Sequence, residues 1–226
     1  MFSKVFLAGS GTFPLSQRFA YMAVHFSAYG KGLSNVPEQL PKGSIILLDD
    51  STAFDGHDPA LVTSQCKELV EKTLPYGVLL DFQRPYSRQL QDMTEQLIAA
   101  LPCPVGATEN YAGVPGCAVF LSPPPANKAL AEYIAPWKRQ GVFLEIAPTG
   151  IEITVTEKGS ETKQIPLLSD LPLKDRRLHC HYDVQVLSDR AVFSICRHKE
   201  DLAALVEDAQ SLGVLGCVGF YRELVE

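Results

Sequence analysis

The sequence of 226 residues predicts an α/β protein built as a compact (β/α)8-type TIM barrel, and three features lead to that class. Short apolar runs alternate with amphipathic stretches of helical period, the pattern of βα units around a parallel sheet. The apolar runs are almost continuous, as strands buried on both faces should be. Several of them end on a polar side chain, where a barrel carries its site. An open doubly wound sheet meets the same pattern and is the alternative.

Taken in order, the N-terminal MFSKVFLAGSGTFPLS holds one Lys and a short apolar stretch. A first strand or arm is expected there rather than a signal peptide. Strands are then expected over residues 20–27, 44–49, 77–83, 104–108, 117–121, 141–147 and 215–221. Residues 59–74 read as a helix, with His57-Asp58-Pro59 as its capped start. Residues 87–101 share the 3.6 period and stop at Pro102. A third helix is expected over 125–139, shortened by Pro136, and a fourth over 199–212, with Gly213 as its C-cap.

Two stretches break the rhythm. Residues 29–43 are too short and too rich in Gly and Pro for a full helix, so one crossover is reduced. Residues 151–165 set Ile151, Ile153 and Val155 against Glu152, Thr154 and Thr156, turning at Lys158-Gly159-Ser160. That is a β-hairpin inserted near 150–166, after a barrel strand. A second antiparallel piece follows in 181–196, turning at Ser188-Asp189-Arg190. No repeat or linker interrupts the chain, so one domain over 1–226 is expected.

Composition narrows the function classes. Hydrophobic residues are 46% and charged residues 20%, so a packed core is expected and disorder is not. A net charge of −6 argues against a nucleic-acid partner, which needs clustered Lys and Arg. There is no run of ~18 apolar residues to form a membrane span, and a cytoplasmic location is expected. Cys66, Cys103, Cys117, Cys180, Cys196 and Cys217 show neither CxxC nor zinc-finger spacing, so reduced structural thiols are expected. Ala8-Gly9-Ser10-Gly11-Thr12 lacks both the GxGxxG pattern and the P-loop lysine, and no cofactor is expected. The sequence leaves the oligomeric state open.

Polar residues at strand ends form the candidate site: Asp49, Asp50, Asp81, Gln83, Glu109, Glu145 and Arg222, with His25 and Tyr29 after an early strand. Tyr111 joins them as a ligand-binding candidate. Converging carboxylates suit a sugar-binding or acid/base site, whereas singly each would cap a helix or pair with a nearby cation. Glu109 and Glu145 are the pair best suited to acid/base work, one with a raised pKa and one ionised. Their separation would decide between retaining and inverting chemistry. His179, His181 and Asp183 would share one face of a strand, a spacing used by metal sites. No fourth ligand is evident and a charged loop precedes them, so a solvated face is expected and no metal. No Ser-His-Asp arrangement with a nucleophile-elbow sequence is present.

Tyr76-Gly77-Val78-Leu79-Leu80-Asp81-Phe82-Gln83 resembles the catalytic strand of glycoside hydrolase family 18, the chitinase family, which reads Asp-Gly-x-Asp-x-Asp-x-Glu with an aromatic before the Glu. Gly77, Asp81 and Phe82 match. Tyr76 replaces the first Asp, Leu79 the middle Asp and Gln83 the acid. Residues 199–222 resemble the family's last helix and strand, with Phe220 or Tyr221 where a Trp floors the sugar site. The resemblance implies a saccharide ligand. In that family the motif Glu protonates the glycosidic oxygen while the substrate's N-acetyl group, oriented by the neighbouring Asp, attacks. Gln83 has no acidic proton to give. The resemblance therefore implies a catalytically silent barrel that binds a saccharide through Asp81, Gln83 and Phe220 or Tyr221, with Asp49, Tyr29, Tyr111 and Arg222 as further ligand-binding candidates, or that is adapted to a partner. The alternatives are an active hydrolase using Glu109 and Glu145, and a non-enzymatic scaffold with the hairpin as contact surface.

Overall fold

The computed structural model describes residues 5–10 and 18–225. The chain runs through β1 (Val5–Gly9), β2 (Phe19–Phe26), β3 (Leu33–Ser34), β4 (Ile45–Asp49), α1 (Pro59–Thr73), β5 (Gly77–Asp81), α2 (Arg88–Ala100), β6 (Val105–Thr108) and β7 (Ala118–Leu121). It continues through α3 (Leu130–Ile134), β8 (Val142–Glu145), β9 (Thr149–Thr156), β10 (Gly159–Gln164), β11 (Leu173–Asp175), β12 (Cys180–Val186) and β13 (Arg190–Arg197). It ends with α4 (Leu202–Ser211), β14 (Gly216–Phe220) and α5 (Tyr221–Leu224).

Eight of these strands are parallel, in the order β1-β14-β8-β7-β6-β5-β4-β2, and β1 also pairs with β2. That last pairing closes the barrel and excludes the open doubly wound sheet. The short β3 adds to β2 as an antiparallel edge. Crossovers are economical: no helix joins β2 to β4, as the composition of 29–43 implied, and a turn joins β6 to β7.

Strand parity divides the core. Phe6, Ala8, Ala20, Ile45, Leu47, Leu79, Ala118, Phe120, Phe143 and Val218 point into the lumen and pack as one cluster. Their neighbours Ile46, Leu48, Val78 and Leu80 face outward under α1 and α2. Leu144 and Cys217 do the same beneath α3 and α4. Both faces are apolar, which is why the runs show no alternation. The wholly buried ring of Phe143 is accommodated by glycines. A Cβ at Gly77, Gly106 or Gly216 would approach it to 3.4, 3.1 and 3.3 Å.

Helix termini follow local chemistry. Asp58 caps α1 by accepting from the amides of Ala60 and Leu61, and Pro59 occupies the first turn. Gly213, at φ +80, ends α4 in the left-handed region. The third helix is a correction: of residues 125–139 only Leu130–Ile134 is α-helical, followed by a 3-10 turn at Ala135–Trp137. The carbonyls of Pro124 and Pro125 accept from Arg197, and Pro136 has no N–H to continue the ladder.

The two hairpins expected separately are one five-stranded antiparallel sheet, β10-β9-β13-β12-β11, inserted between β8 and β14. The turn of the first is Glu157-Lys158, because Thr156 pairs with Gly159. Strand β13 pairs with β9 along its whole length. Arg197, 1% exposed, fixes the root of this sheet. Its guanidinium donates to the carbonyls of Pro124 (2.5 Å), Leu178 (2.8 Å), His179 (3.2 Å) and Pro125 (3.5 Å).

Cys66, Cys117, Cys180, Cys196 and Cys217 are buried. Burial pushes the thiols of Cys66 and Cys217 up to about 12 and that of Cys117 to about 11. Mass spectrometry of the denatured, non-reduced protein should therefore find six alkylated cysteines, and a stoichiometric internal disulfide would refute this. No helix among the described residues is long and apolar enough to cross a membrane.

Candidate functional site at the barrel mouth

Because the barrel strands are parallel, their final residues meet at one end. Asp49, Asp81 and Glu145 are the last residues of β4, β5 and β8, and Glu109 directly follows β6. Parity then sorts them. Asp49, Asp81 and Glu145 each stand two residues beyond a lumen residue (Leu47, Leu79 and Phe143), so parity turns all three inward. Asp49 is held by the amide of Ser51, while Asp81 and Glu145 meet. These two line one small cavity with Ala8, Leu47, Phe120, Val218, Gly219 and Phe220. Its volume, about 10 Å³, is room for about one water.

Burial raises the Asp81 carboxyl above its ordinary value; a hydrogen bond from Gln83 opposes this, and Asp49 and Asp50 add to it. The amide of Gln83 donates to Asp81 Oδ1 at 2.5 Å. Glu145 is pushed up to about 7, by burial first, then by the charges of Asp81 and Glu223. The Asp81 charge thus helps keep Glu145 protonated.

A second, open cleft of about 130 Å³ adjoins the mouth, lined by Phe82, Gln83, Thr108, Glu109, Asn110, Phe120 and Ser122. Phe120 lines both cavities, with Glu145 on the inner one and Glu109 on the outer. Tyr133 lies near both: burial raises its phenol to about 12, with Glu109 and Glu145 adding, and its hydroxyl donates to the carbonyl of Ser122.

Other candidates have structural occupations. Asp49 accepts from the amide of Ser51, closing a turn. Asp50, 2% exposed, accepts from the amides of Gln83 and Arg84 and so holds the loop after β5. Tyr111 is fully buried, stacked on Tyr86 and edge-on to Phe82, and its hydroxyl accepts from the amide of Ser87. Tyr29 is wholly exposed beyond β2. On β2, His25 pairs in register with Asp49 and bonds the carbonyl of Ala23. Phe220 faces the mouth, Tyr221 packs on the α3–α4 side, and Arg222 is exposed on α5. Gly11 and Thr12 of the N-terminal Gly-Ser-Gly-Thr stretch lie outside the described residues. Phe120, Asn110, Ser122 and Tyr133 were missed; only the inward parity of β7 could have signalled the first.

The trio His179, His181 and Asp183 does not converge. His179 precedes β12, its φ of +49 turning it out of strand geometry, and it pairs with Asp208 at 2.7 Å. His181 meets Asp201 instead, at 3.1 Å.

No family model matches the sequence, and no curated protein matches it. In structure, the chain is similar to the spore cortex-lytic enzyme SleL of Bacillus cereus, with 9% identity over 90% of this chain and 63% of that one at a TM-score of 0.51. It is similar to a chitinase from Chromobacterium violaceum, with 7% identity over 96% and 93% at 0.50. The SleL of Bacillus megaterium matches at 0.44, with 9% identity over 78% and 55%. The chain thus spans 63% and 55% of the two spore enzymes' lengths. The likeness is one of fold: this is a closed (β/α)8 barrel.

Proposed function

We propose that the protein is a chitinase-like barrel that binds a saccharide and does not hydrolyse it by the family 18 route. The observation that carries this is the amide of Gln83 donated to Asp81; by the resemblance of its strand, Gln83 takes the place of that family's general acid. An amide offers a hydrogen bond to a sugar hydroxyl but no transferable proton. Two further features support the reading. Leu79, at the middle Asp of the motif, is fully buried among apolar lumen residues, where a charge would be unpaired. The nearly filled mouth leaves the outer cleft, with Gln83, Glu109, Asn110 and Ser122, as the place for a sugar unit.

The test is aryl chitobioside release. No release is expected from the wild type, against the ~10²–10⁴ in rate that one general acid supplies. Chito-oligosaccharide binding, followed by calorimetry, should weaken in Asn110→Ala and Gln83→Ala. Release that disappears in Asp81→Ala would overturn the reading. Gln83→Glu alone is the restoring variant to try, because Leu79→Asp would bury a charge in the lumen.

One observation favours a second reading. Glu145, protonated up to about pH 7 beside Asp81, has the property a general acid needs. In that case the wild type releases the aryl group and Glu145→Gln does not.

A further inference from the structure

We infer that His181, His198 and Asp201 form a binding site for a divalent transition-metal ion, Zn²⁺ foremost, at the junction between the inserted sheet and α4. His181 projects from β12, His198 follows β13, and Asp201 directly precedes α4. One ligand atom from each lies within 4.8 Å of the others.

Hydrogen bonding fixes which atoms face the centre. Nε2 of His198 bonds the carbonyl of Leu168 at 2.8 Å, so that nitrogen must be the donor. In the neutral ring Nδ1 then carries the lone pair. This Nδ1 is buried and makes no hydrogen bond among the described residues, although a carboxylate oxygen, Asp201 Oδ2, lies 3.8 Å away. Two lone pairs so placed repel unless a cation sits between them. An imidazole whose far N–H is held by a backbone carbonyl is the arrangement that orients a metal-ligating histidine.

The remaining donors agree. His181 Nδ1 lies 3.1 Å from the same Oδ2. With Zn–N and Zn–O bonds of about 2.0–2.2 Å, tetrahedral ligands stand about 3.3–3.6 Å apart, so 3.1 and 3.8 Å bracket the need. Lys174 takes Oδ1 of Asp201 at 3.0 Å and the amide of His198 donates to Oδ2 at 3.1 Å, which leaves one lone pair of Oδ2 to coordinate an ion. The Asp201 side chain is 1% exposed, whereas His181 and His198 are 24% and 17% exposed and give an ion a way in from solvent. Two imidazoles and one carboxylate are the donor set of Zn²⁺ rather than of Ca²⁺ or Mg²⁺. Three protein ligands leave a fourth position to water.

The test is calorimetric titration of chelator-stripped, untagged wild type with ZnCl₂, together with Co²⁺ absorption to report the coordination geometry. One equivalent per chain and a tetrahedral Co²⁺ spectrum are expected. His198→Ala and His181→Ala should each weaken binding at least ~100-fold, beyond the loss from outer-shell changes. His179→Ala, paired elsewhere with Asp208, should bind as the wild type does. Absence of a one-equivalent site in the wild type overturns the proposal without recourse to any variant. Binding unchanged in both alanine variants overturns it equally.

Discussion

Replacing Arg197 by Met should destabilise the protein by about 3–5 kcal/mol, with the inserted sheet failing first. The guanidinium is 1% exposed and donates to four backbone carbonyls, of Pro124, Pro125, Leu178 and His179. In Met these acceptors lose their donors, at about 1–3 kcal/mol for each left buried and unbonded. One term opposes the loss. Burial holds the Arg197 pKa below its ordinary value, so the charge is already costly to keep, and Met removes that cost. The carbonyls outnumber it. Urea denaturation should register the change, and for a protein of this size the Tm should fall by about 6–20 °C. Limited proteolysis should cut within 149–197 before the barrel. A loss under about 1 kcal/mol would show that the carbonyls find other donors.

Glu145→Gln should stabilise the protein increasingly as pH rises, by about 2–3 kcal/mol at pH 8. The folded-state value is about 7 against an ordinary 4.5. Below pH 4.5 both folded and unfolded states hold the proton and the glutamate costs nothing. Between 4.5 and 7 the unfolded state releases its proton while the folded state keeps it, so stability falls with rising pH. Above 7 the loss is complete: about 1.4 kcal/mol per pH unit of that interval, reduced because Glu145 is only half-buried. Gln, neutral throughout, removes the penalty. The variant and wild type should have equal Tm near pH 4.5 and differ by about 4–12 °C at pH 8. A difference independent of pH would mean that Glu145 does not titrate as its surroundings imply.

The barrel strands were legible because double-sided burial writes them as apolar runs. That same continuity hid parity. From strand ends alone Glu109 and Glu145 looked like partners; the inward turn of Asp81 and Glu145, set by Leu79 and Phe143 two residues earlier, is what brings those two together. The hairpins of the insertion were legible from alternation, but the pairing of β9 with β13 joins segments some forty residues apart and no local pattern carries it. The third helix was overread because the competitor for its first carbonyls, Arg197, lies more than seventy residues downstream. For His179, His181 and Asp183 the i, i+2 spacing failed at His179, whose left-handed backbone precedes the strand. The partners of His181 come from residues 198 and 201.

The glycines around Phe143 also bear on how the chain folds. Gly77, Gly106 and Gly216 each weaken their own strand, by roughly 0.5–1 kcal/mol relative to Ala. Gly77 and Gly106 make room for a ring from β8, three and two strands away, and Gly216 does so as the register partner of Phe143. An open half-barrel of β4, β5 and β6 would carry two of those weak points and nothing to fill them. The ring arrives only when the sheet curls far enough to bring β8 over β5 and β6, so the gain comes late and at long sequence separation. That curling is thus the event that commits the whole barrel, and partly wound forms have little to hold them. Slow, all-or-none folding follows from that arrangement, as for other folds dominated by distant contacts.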